Sequence, residues 1–354
     1  MNLLQVTPPA PNLFYRHRDP LDLRLGSAVG RSEATGPIVI DETIRESRSY
    51  RSADFVIIGC PQDEGVRRNE GRAGAEGAPA EIRRYLYRLA LGPLEGLWSR
   101  RRVVLGLGGA EELDLARAPV LFDLGDTLTD GPLEEIHMRH RAIVEQALRD
   151  GKTVISLGGG NDLSYPDAAA AAAVFPGLLA FNVDAHLDVR DEEPRNSGTP
   201  YRQLLDQAFI EPENFVELGY QPFAVAKAHL AALKSRGVSA YSLGEARSRG
   251  FGEVVREHLR KSADAVFWGI DMDVVSSAFA PGVSAPNPAG LYPEELLDLS
   301  RRAGLESRSR LFEVTEVNPR FDLDGRTSRL AAVAVYAFLS GRAESSSTKE
   351  ETDV

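Results

Sequence analysis

Side chains that could bind metal ions follow an apolar run in the stretch LLAFNVDAHLDVR. Residues 178–183 read as a buried strand, and Asp184, His186 and Asp188 come directly after it at alternate positions. Because alternate residues of an extended chain share one face, the two carboxylates and the imidazole are expected to project together. The spacing therefore indicates a set of ligands at the end of a strand.

A second apolar run, AVFWGIDMD, ends with Asp271 and Asp273 in the same alternating pattern. Four carboxylates that converge at one sheet edge repel each other and resist ionisation unless cations lie among them. Oxygen ligands with one imidazole suit an ion such as Mn²⁺. Two such ions about 3.5–4 Å apart can lower the pKa of a shared water and make it a nucleophile. The residues thus indicate a binuclear hydrolytic site.

Each of these features has a plainer explanation when it is taken alone. Asp184 could cap a helix, His186 could be a hydrogen-bonded core histidine, and the glycines at 158–160 could form a tight turn. The metal-site interpretation is favoured because acids recur at the ends of several separate apolar runs. Asp123 and Glu313 also follow such runs, but we interpret them as structural acids.

Short apolar runs alternate with helical patterns along most of the chain, and this alternation predicts the elements that position the acids. Strands that alternate with helices indicate βαβ units, and hence an α/β fold with a parallel sheet covered on both faces. Open parallel sheets carry their chemistry just beyond the carboxyl ends of the strands. The runs interpreted as strands are DFVIIGC, PVLFDLGD, KTVISLGGG, LLAFNVDAH, NFVELGY, SAYSL, AVFWGIDMD and SRLFEVTEVNP.

Composition divides the chain into three parts. Residues 1–45 are rich in Pro, Arg and Ser and are expected to form a loose N-terminal arm. Residues 46–342 show no linker-like change in composition and are predicted to form one domain. Residues 343–354 are polar and predict a disordered tail.

The composition of the 354-residue chain also excludes several classes of function. Its net charge of −11 argues against a nucleic-acid partner, and no apolar run is long enough to span a membrane. The single cysteine, Cys60, cannot form an internal disulfide. A reducing cytoplasm is therefore the expected location.

Several long motifs resemble those of the ureohydrolases, the family that contains arginase, agmatinase and formimidoylglutamase. They are NVDAHLDVR, GIDMDVVSSAFAPGVSAP and EVTEVNP, and the resemblance covers roughly residues 50–340. It implies a three-layer α/β/α sandwich, an arginase-like fold. GVRRNEGRAGA, SGTP and APGVSAP look most like formimidoylglutamases, which hydrolyse N-formimidoyl-L-glutamate to L-glutamate and formamide in histidine breakdown.

The resemblance implies two Mn²⁺ ions and assigns a role to each matching residue. Asp184 and Asp271 would bridge both ions. Asp188 would complete one site, and His186 and Asp273 would complete the other. Relatives in this family are commonly oligomers, so a homo-oligomer is expected.

The resemblance also implies residues that bind the substrate. Glu316 would hold the cationic amidine end, because a carboxylate accepts paired hydrogen bonds from a planar cation. Asp188 would hold the nucleophile by a hydrogen bond. Arg190 is expected to pair with a substrate carboxylate, although a surface salt bridge explains it nearly as well. Ser197 and Thr199 are weaker candidates for the amino-acid end.

Asn161 departs from the family pattern, which normally has a metal-binding histidine at this place. The amide carbonyl of Asn161 can still coordinate a hard ion, so it is included as a ligand of a weakened first site. Three alternatives follow: two metals with one weak site, one tight and one loose metal, or an arginase-fold protein that has lost catalysis and serves in binding or regulation. The intact remaining ligands favour retained hydrolysis, and a guanidino-acid or agmatine-type substrate stays open.

Overall fold

The computed structural model describes residues 3–15, 17–19, 21–90 and 120–350, and one eleven-stranded sheet runs through them. The strands are β1 (Gln5–Thr7), β2 (Gly30–Arg31), β3 (Ile38–Val39), β4 (Phe55–Gly59), β5 (Leu121–Thr127), β6 (Thr153–Leu157), β7 (Leu178–Val183), β8 (Phe215–Tyr220), β9 (Ser239–Ser242), β10 (Ala265–Asp271) and β11 (Ser309–Thr315). The α-helices are α1 (Glu42–Arg45), α2 (Arg48–Arg51), α3 (Glu64–Arg68), α4 (Ala78–Leu86), α5 (Leu133–Arg149), α6 (Ser164–Val174), α7 (Pro200–Asp206), α8 (Lys227–Ser235), α9 (Leu243–Arg249), α10 (Phe251–Leu259), α11 (Pro293–Leu305) and α12 (Arg326–Glu350).

The strand order places the strands that carry the predicted ligands side by side. It is β3-β1-β5-β4-β6-β11-β10-β7-β8-β9, and β2 pairs with β5 outside this path. All pairings from β5 to β9 are parallel. The eight apolar runs of the sequence correspond to β4 to β11, so their prediction as strands of a parallel sheet is confirmed.

Two separate hydrophobic cores lie on the two faces of the sheet. Along β4, Ile57 packs in one core and Ile58 in the other, as expected for alternating side chains. The first core includes apolar residues of α4, α11 and α12. The second includes residues of α5, α6 and α8. This arrangement confirms the three-layer α/β/α sandwich.

The alanine run in α6 packs closely in the second core. Residues 168–171 are fully buried, and small side chains let a helix approach its neighbours closely. The prediction that this run is a helix against the sheet, and not a linker, is confirmed.

The N-terminal arm is part of the sheet, which differs from the loose extension expected. β1 runs antiparallel to β5, with Thr7 opposite Asp126, and β3 pairs with β1. A Cβ atom at Gly125 would lie 2.0 Å from the carbonyl oxygen of Thr7, and the φ angle of Gly125 is +92°. Glycine is therefore required where β5 meets the arm. Backbone pairing with β5 orders the arm, which the polar composition could not reveal.

The last helix continues through residues 343–350, where the sequence predicted a disordered tail. Arg301 of α11 donates from Nε to Glu344 at 3.0 Å, and this contact holds the helix against its neighbour. Residues 351–354 of the predicted tail lie outside the described residues. Among the helices of the described chain, none combines the length and hydropathy needed to cross a bilayer.

Candidate metal centre

Four neighbouring strands bring the predicted ligands to one edge of the sheet. The order β6-β11-β10-β7 places Asn161, Glu316, Asp271 and Asp184 at or just beyond the carboxyl ends of adjacent strands. Each of these side chains lies at the end of its strand or within four residues of it. The central strands are rigid and buried, so they can position these groups with little freedom.

Two groups of possible ligand atoms share Asp184 in the described part of the chain. His186 and Asp273 complete one group, and Asp188 and Asp271 complete the other. Within each group the ligand atoms lie within 4.8 Å of one another. All five residues belong to the set predicted from the sequence.

The D-x-H and D-x-D spacings fix the orientation of the two central carboxylates. Asp184 accepts the backbone N–H of His186 at 2.7 Å, and Asp271 accepts that of Asp273 at 2.8 Å. This local turn, common for Asp, holds each carboxylate beside the residue two positions later. Across the two turns, Nδ1 of His186 lies 3.1 Å from a carboxylate oxygen of Asp273.

Burial and mutual repulsion oppose ionisation of three of these acids. Burial, followed by the charge of Asp184, raises the pKa of Asp188 well above its usual range. Burial and the charge of Asp273 do the same to the pKa of Asp271. Burial also raises the pKa of Asp273, although His186 partly offsets the effect. The negative charge of Asp273 in turn raises the pKa of His186.

These residues fit a pair of divalent cations. The four carboxylates and one imidazole are hard and borderline donors, which suit Mn²⁺ better than a thiolate-preferring ion. Oδ1 of Asp273 is buried without a hydrogen-bond partner in the described chain. A buried, unpaired carboxylate oxygen is costly, and a cation would satisfy it.

The side chain of Asn161 is oriented differently from the prediction. Its carbonyl oxygen accepts hydrogen bonds from Thr315 Oγ1 at 2.8 Å and from Ser164 Oγ at 3.0 Å. Its amide nitrogen donates to Asp188 at 2.7 Å. Because the two hydroxyls occupy the carbonyl, Asn161 presents a hydrogen-bond donor to the centre and not the predicted ligand oxygen.

A cavity of about 650 Å³ opens above the two groups of ligands. Asp188, Asp271, Asp273 and Glu316 line it, as do the predicted substrate residues Arg190 and Ser197. The cavity therefore joins the acidic centre to polar groups that could hold another part of a substrate.

The three predicted substrate-binding residues differ in their access to the cavity. Arg190 is 50% exposed and its closest charged partner, Glu192, lies 3.8 Å away, so the guanidinium remains accessible. Ser197 accepts a hydrogen bond from Asn69 at 2.9 Å. Thr199 is fully buried, and its hydroxyl closes a turn with the backbone of Asn196. The turn already uses the hydroxyl of Thr199, so its contact with substrate stays a prediction.

Glu316 lies beside the ligands in a restricted conformation. Its carboxylate accepts the backbone N–H of Asn161 at 2.6 Å, while Oε2 is buried without a hydrogen-bond partner in the described chain. Burial raises the pKa of Glu316 to about 8. The φ angles of Glu316 and Asp188 are +63° and +46°. Left-handed backbone at non-glycine residues is costly and is concentrated at functional sites.

Asn69, Arg72 and Ser284 also line the cavity, and sequence reasoning did not select them. Asn69 and Arg72 lie in GVRRNEGRAGA, and Ser284 lies in APGVSAP, so the motifs themselves had been noticed. No spacing of charges or ligands distinguished these three residues from their neighbours. Only the packing of the loops after β4 and β10 around the cavity brings them to the site.

Two histidines to which the sequence assigned no role form buried pairs behind the centre. His137 lies 2.7 Å from Asp162, and His140 lies 3.0 Å from Asp167. Both histidines are on the buried face of α5, one turn apart. Helical periodicity could have placed them in the core, but their partners come from the loop after β6 and from α6.

The two acids interpreted as structural lie in buried hydrogen-bond networks. Asp123 accepts hydrogen bonds from Arg83 at 2.9 Å and from Tyr87. A carboxyl oxygen of Glu313 lies 2.7 Å from Ser164 Oγ. Neither acid lines the cavity.

Comparison with known proteins finds similarity over most of the chain. The Arginase family profile matches residues 53–341. A formimidoylglutamase of Staphylococcus haemolyticus (strain JCSC1435) is 28% identical over 289 residues, which cover 80% of this chain and 85% of the relative. The structure of Trypanosoma cruzi formiminoglutamase with Mn²⁺₂ superposes with a TM-score of 0.75 at 32% identity, covering 91% of this chain and 99% of that one. Bacillus subtilis formimidoylglutamase gives 0.71 at 28% identity, covering 82% and 87%.

Proposed function

The chain belongs to the arginase family, and from this we propose that it hydrolyses N-formimidoyl-L-glutamate to L-glutamate and formamide with two Mn²⁺ ions. It is a metal-dependent hydrolase that acts on C–N bonds of linear amidines. The formimidoylglutamase relatives from Staphylococcus and Bacillus support the choice of substrate. They do not favour the alternative of a catalytically impaired protein with a binding role.

The observation that carries the proposal is a pair of ligand groups that share Asp184 and whose other four residues all line the cavity. Asp184, His186 and Asp273 would hold one ion, and Asp184, Asp188 and Asp271 would hold the other. When bound, the two ions would supply an activated water and electrostatic stabilisation of the charge that develops on the substrate.

Glu316 is proposed to bind the formimidoyl group. Its free oxygen, Oε2, can accept an N–H of the amidinium, while the other oxygen stays bound to the backbone of Asn161. A substrate cation next to the buried carboxyl favours its ionised form, which offsets the raised pKa. Glu316 would thus orient the reacting carbon over the acidic centre.

The reaction adds one water to the formimidoyl carbon and breaks the bond from this carbon to the glutamate nitrogen. The carbon leaves as formamide, and the glutamate nitrogen gains a proton and leaves as an amine. Asp188 lines the cavity, and we propose that it accepts a hydrogen bond from the attacking water. Its carboxylate could then hold the proton that the leaving nitrogen requires.

The carboxylates of the substrate require cationic or hydroxyl partners away from the acids. Arg190 is accessible on the cavity wall, and we propose that it pairs with one substrate carboxylate. Ser197, held by Asn69, is proposed to donate a hydrogen bond to the amino-acid end. Thr199 would act indirectly, by holding the turn that carries Ser197.

The experiment is an assay of the purified protein with added Mn²⁺ against formimidoylglutamate, arginine, agmatine and guanidinobutyrate. We expect release of glutamate and formamide from formimidoylglutamate, with little turnover of the three guanidino compounds. Turnover of a guanidino compound alone would reject the substrate. Absence of both bound Mn²⁺ and turnover would reject the hydrolase itself.

Two further expectations belong to the same proposal. The only cysteine, Cys60, is buried and unpaired, which supports a reducing cytoplasmic location. We also propose a homo-oligomer, which light scattering of the purified protein would test.

A further inference from the structure

The carbonyl end of Asn161 is held from two sides by hydroxyl groups. Thr315 Oγ1 lies 2.8 Å from its oxygen, and Ser164 Oγ lies 3.0 Å from it. Thr315 and Ser164 are fully buried, so both hydroxyls are shielded from solvent. Thr315 ends β11 and Ser164 begins α6, which makes both donors part of rigid elements.

The amide end of Asn161 faces only acids. Its nitrogen donates to Asp188 at 2.7 Å and lies 3.4 Å from a carboxylate oxygen of Asp184. A flipped amide would point its carbonyl oxygen at two carboxylates and lose the charge-assisted bond to Asp188. The surroundings therefore select one of the two amide orientations.

Glu313 contacts Ser164, one of the two residues that hold the carbonyl oxygen of Asn161. Ser164 Oγ lies 2.7 Å from a carboxyl oxygen of Glu313, which is fully buried. None of its hydrogen bonds in the described chain involves a cation. Burial, followed by the charge of Asp167, raises the pKa of Glu313 well above its usual range. When Glu313 carries a proton it can donate to Ser164 Oγ, which leaves the single hydroxyl proton of Ser164 for the carbonyl oxygen of Asn161.

We propose that Thr315 and Ser164 are positioning residues that hold the Asn161 amide with its nitrogen towards Asp188. Position 161 then supplies a hydrogen bond to one oxygen of Asp188 in place of a metal ligand. The other oxygen of Asp188 stays available to an ion or to the attacking water. The bond also offsets part of the repulsion between Asp188 and Asp184. The activity readout of this inference rests on the proposed function, whereas its metal-binding readout does not.

The test compares Thr315→Val, which removes the hydroxyl with little change of shape, with Thr315→Ser, which keeps it. Ser164→Ala is the second variant, and Ser300→Ala is the matched control. Ser300 is also a fully buried serine, but its hydroxyl donates to the backbone carbonyl of Leu296 in α11. Circular dichroism and thermal melting check that each variant folds.

The measurements are Mn²⁺ affinity per site by titration calorimetry, and kcat and KM for formimidoylglutamate. We expect Thr315→Val and Ser164→Ala each to weaken one Mn²⁺ site and lower kcat by about 10-fold, the size typical for residues that orient metal ligands, with KM nearly unchanged. Thr315→Ser and Ser300→Ala should resemble the parent protein in every measurement.

Two outcomes would overturn the inference. One is that Thr315→Val and Ser164→Ala bind Mn²⁺ as tightly as the parent chain. The other is a crystal structure with Mn²⁺ in which the carbonyl oxygen of Asn161 coordinates an ion. If the variants weaken Mn²⁺ binding but no protein turns over formimidoylglutamate, the positioning role stands and the proposed substrate fails.

Discussion

Glu316 accepts the backbone N–H of Asn161 at 2.6 Å, and this bond joins the end of β11 to the loop after β6. It fixes one oxygen of the carboxylate and leaves the other buried and free. The acid is therefore oriented before any substrate enters, at the point where two neighbouring strands meet. This pre-organisation underlies the first prediction.

Glu316→Gln should reduce kcat/KM for formimidoylglutamate by about 10- to 100-fold, since a hydrogen bond to a charged group contributes roughly 1.5–3 kcal/mol. The amide of glutamine keeps the bond to Asn161 but replaces a charged acceptor with a neutral group. Mn²⁺ affinity should change little, because Glu316 belongs to neither group of ligands. Glu257→Gln, an exposed pair with Arg249, serves as the control. Unchanged kinetics in Glu316→Gln would remove Glu316 from substrate binding.

Asp271→Asn should lower bound Mn²⁺ below two ions per chain and reduce kcat by more than about 100-fold, because a direct ligand matters more than an orienting residue. The metal-free variant should nevertheless melt at a higher temperature than the metal-free parent, since one acid leaves a repelling cluster. Thermal melting with EDTA and with Mn²⁺ measures both effects. A lower melting temperature without metal would contradict the repulsion argument.

The stability of the metal-free protein should fall as pH rises from about 4 to about 8. The unfolded acids titrate near pH 4, whereas Asp188, Asp271 and Asp273 have raised pKa values in the folded state and Glu316 titrates at about 8. These four acids bind more protons in the folded than in the unfolded chain throughout this window, so their contribution to the free energy of unfolding decreases with pH. His137 and His258, whose pKa values burial lowers, act in the opposite direction but are fewer.

The raised pKa of His186 acts in the same direction, because its stabilising charge is fully present below the unfolded value near 6.5 and is lost above it. Mn²⁺ replaces the bound protons, so the gain in melting temperature on adding Mn²⁺ should be larger at pH 8 than at pH 5. Scanning fluorimetry measures how the melting temperature depends on pH in the parent protein and in Asp273→Asn. The difference between the two gives the contribution of the acidic centre, because all other titrating groups are the same. Equal pH slopes for the two proteins would disprove its contribution.

Arg190→Met should raise the KM for formimidoylglutamate by about 10-fold, as expected for the loss of a charged hydrogen bond, with a smaller change in kcat. A formamidine without carboxylates, such as N-propylformamidine, should be hydrolysed equally by the parent protein and the variant. Arg202→Met is the matched control, because Arg202 pairs with Asp206 on α7 outside the cavity. Equal losses with both substrates would instead indicate a structural effect.

The sequence predicted the sheet and the acidic centre well because both rest on local patterns. Uninterrupted apolar runs specify buried parallel strands, and the alternation at Asp184 and His186 follows from extended backbone geometry. The orientation of Asn161 could not be predicted, since it depends on Thr315, which lies 154 residues later in the sequence and contacts Asn161 only in the folded sheet. Thr199 was assigned to substrate for its position in a motif, but its hydroxyl serves a turn visible only in three dimensions.

The antiparallel arm has a consequence for the solution behaviour of the fold. β1 and β2 together pair with the outer side of β5, where a shortened chain beginning at residue 53 would expose unpaired backbone N–H and C=O groups. An uncovered strand of this kind is a template for intermolecular pairing. The arm, of which no described residue lines the cavity, would then reduce aggregation, and the concentration at which the enzyme precipitates would depend on its first forty residues.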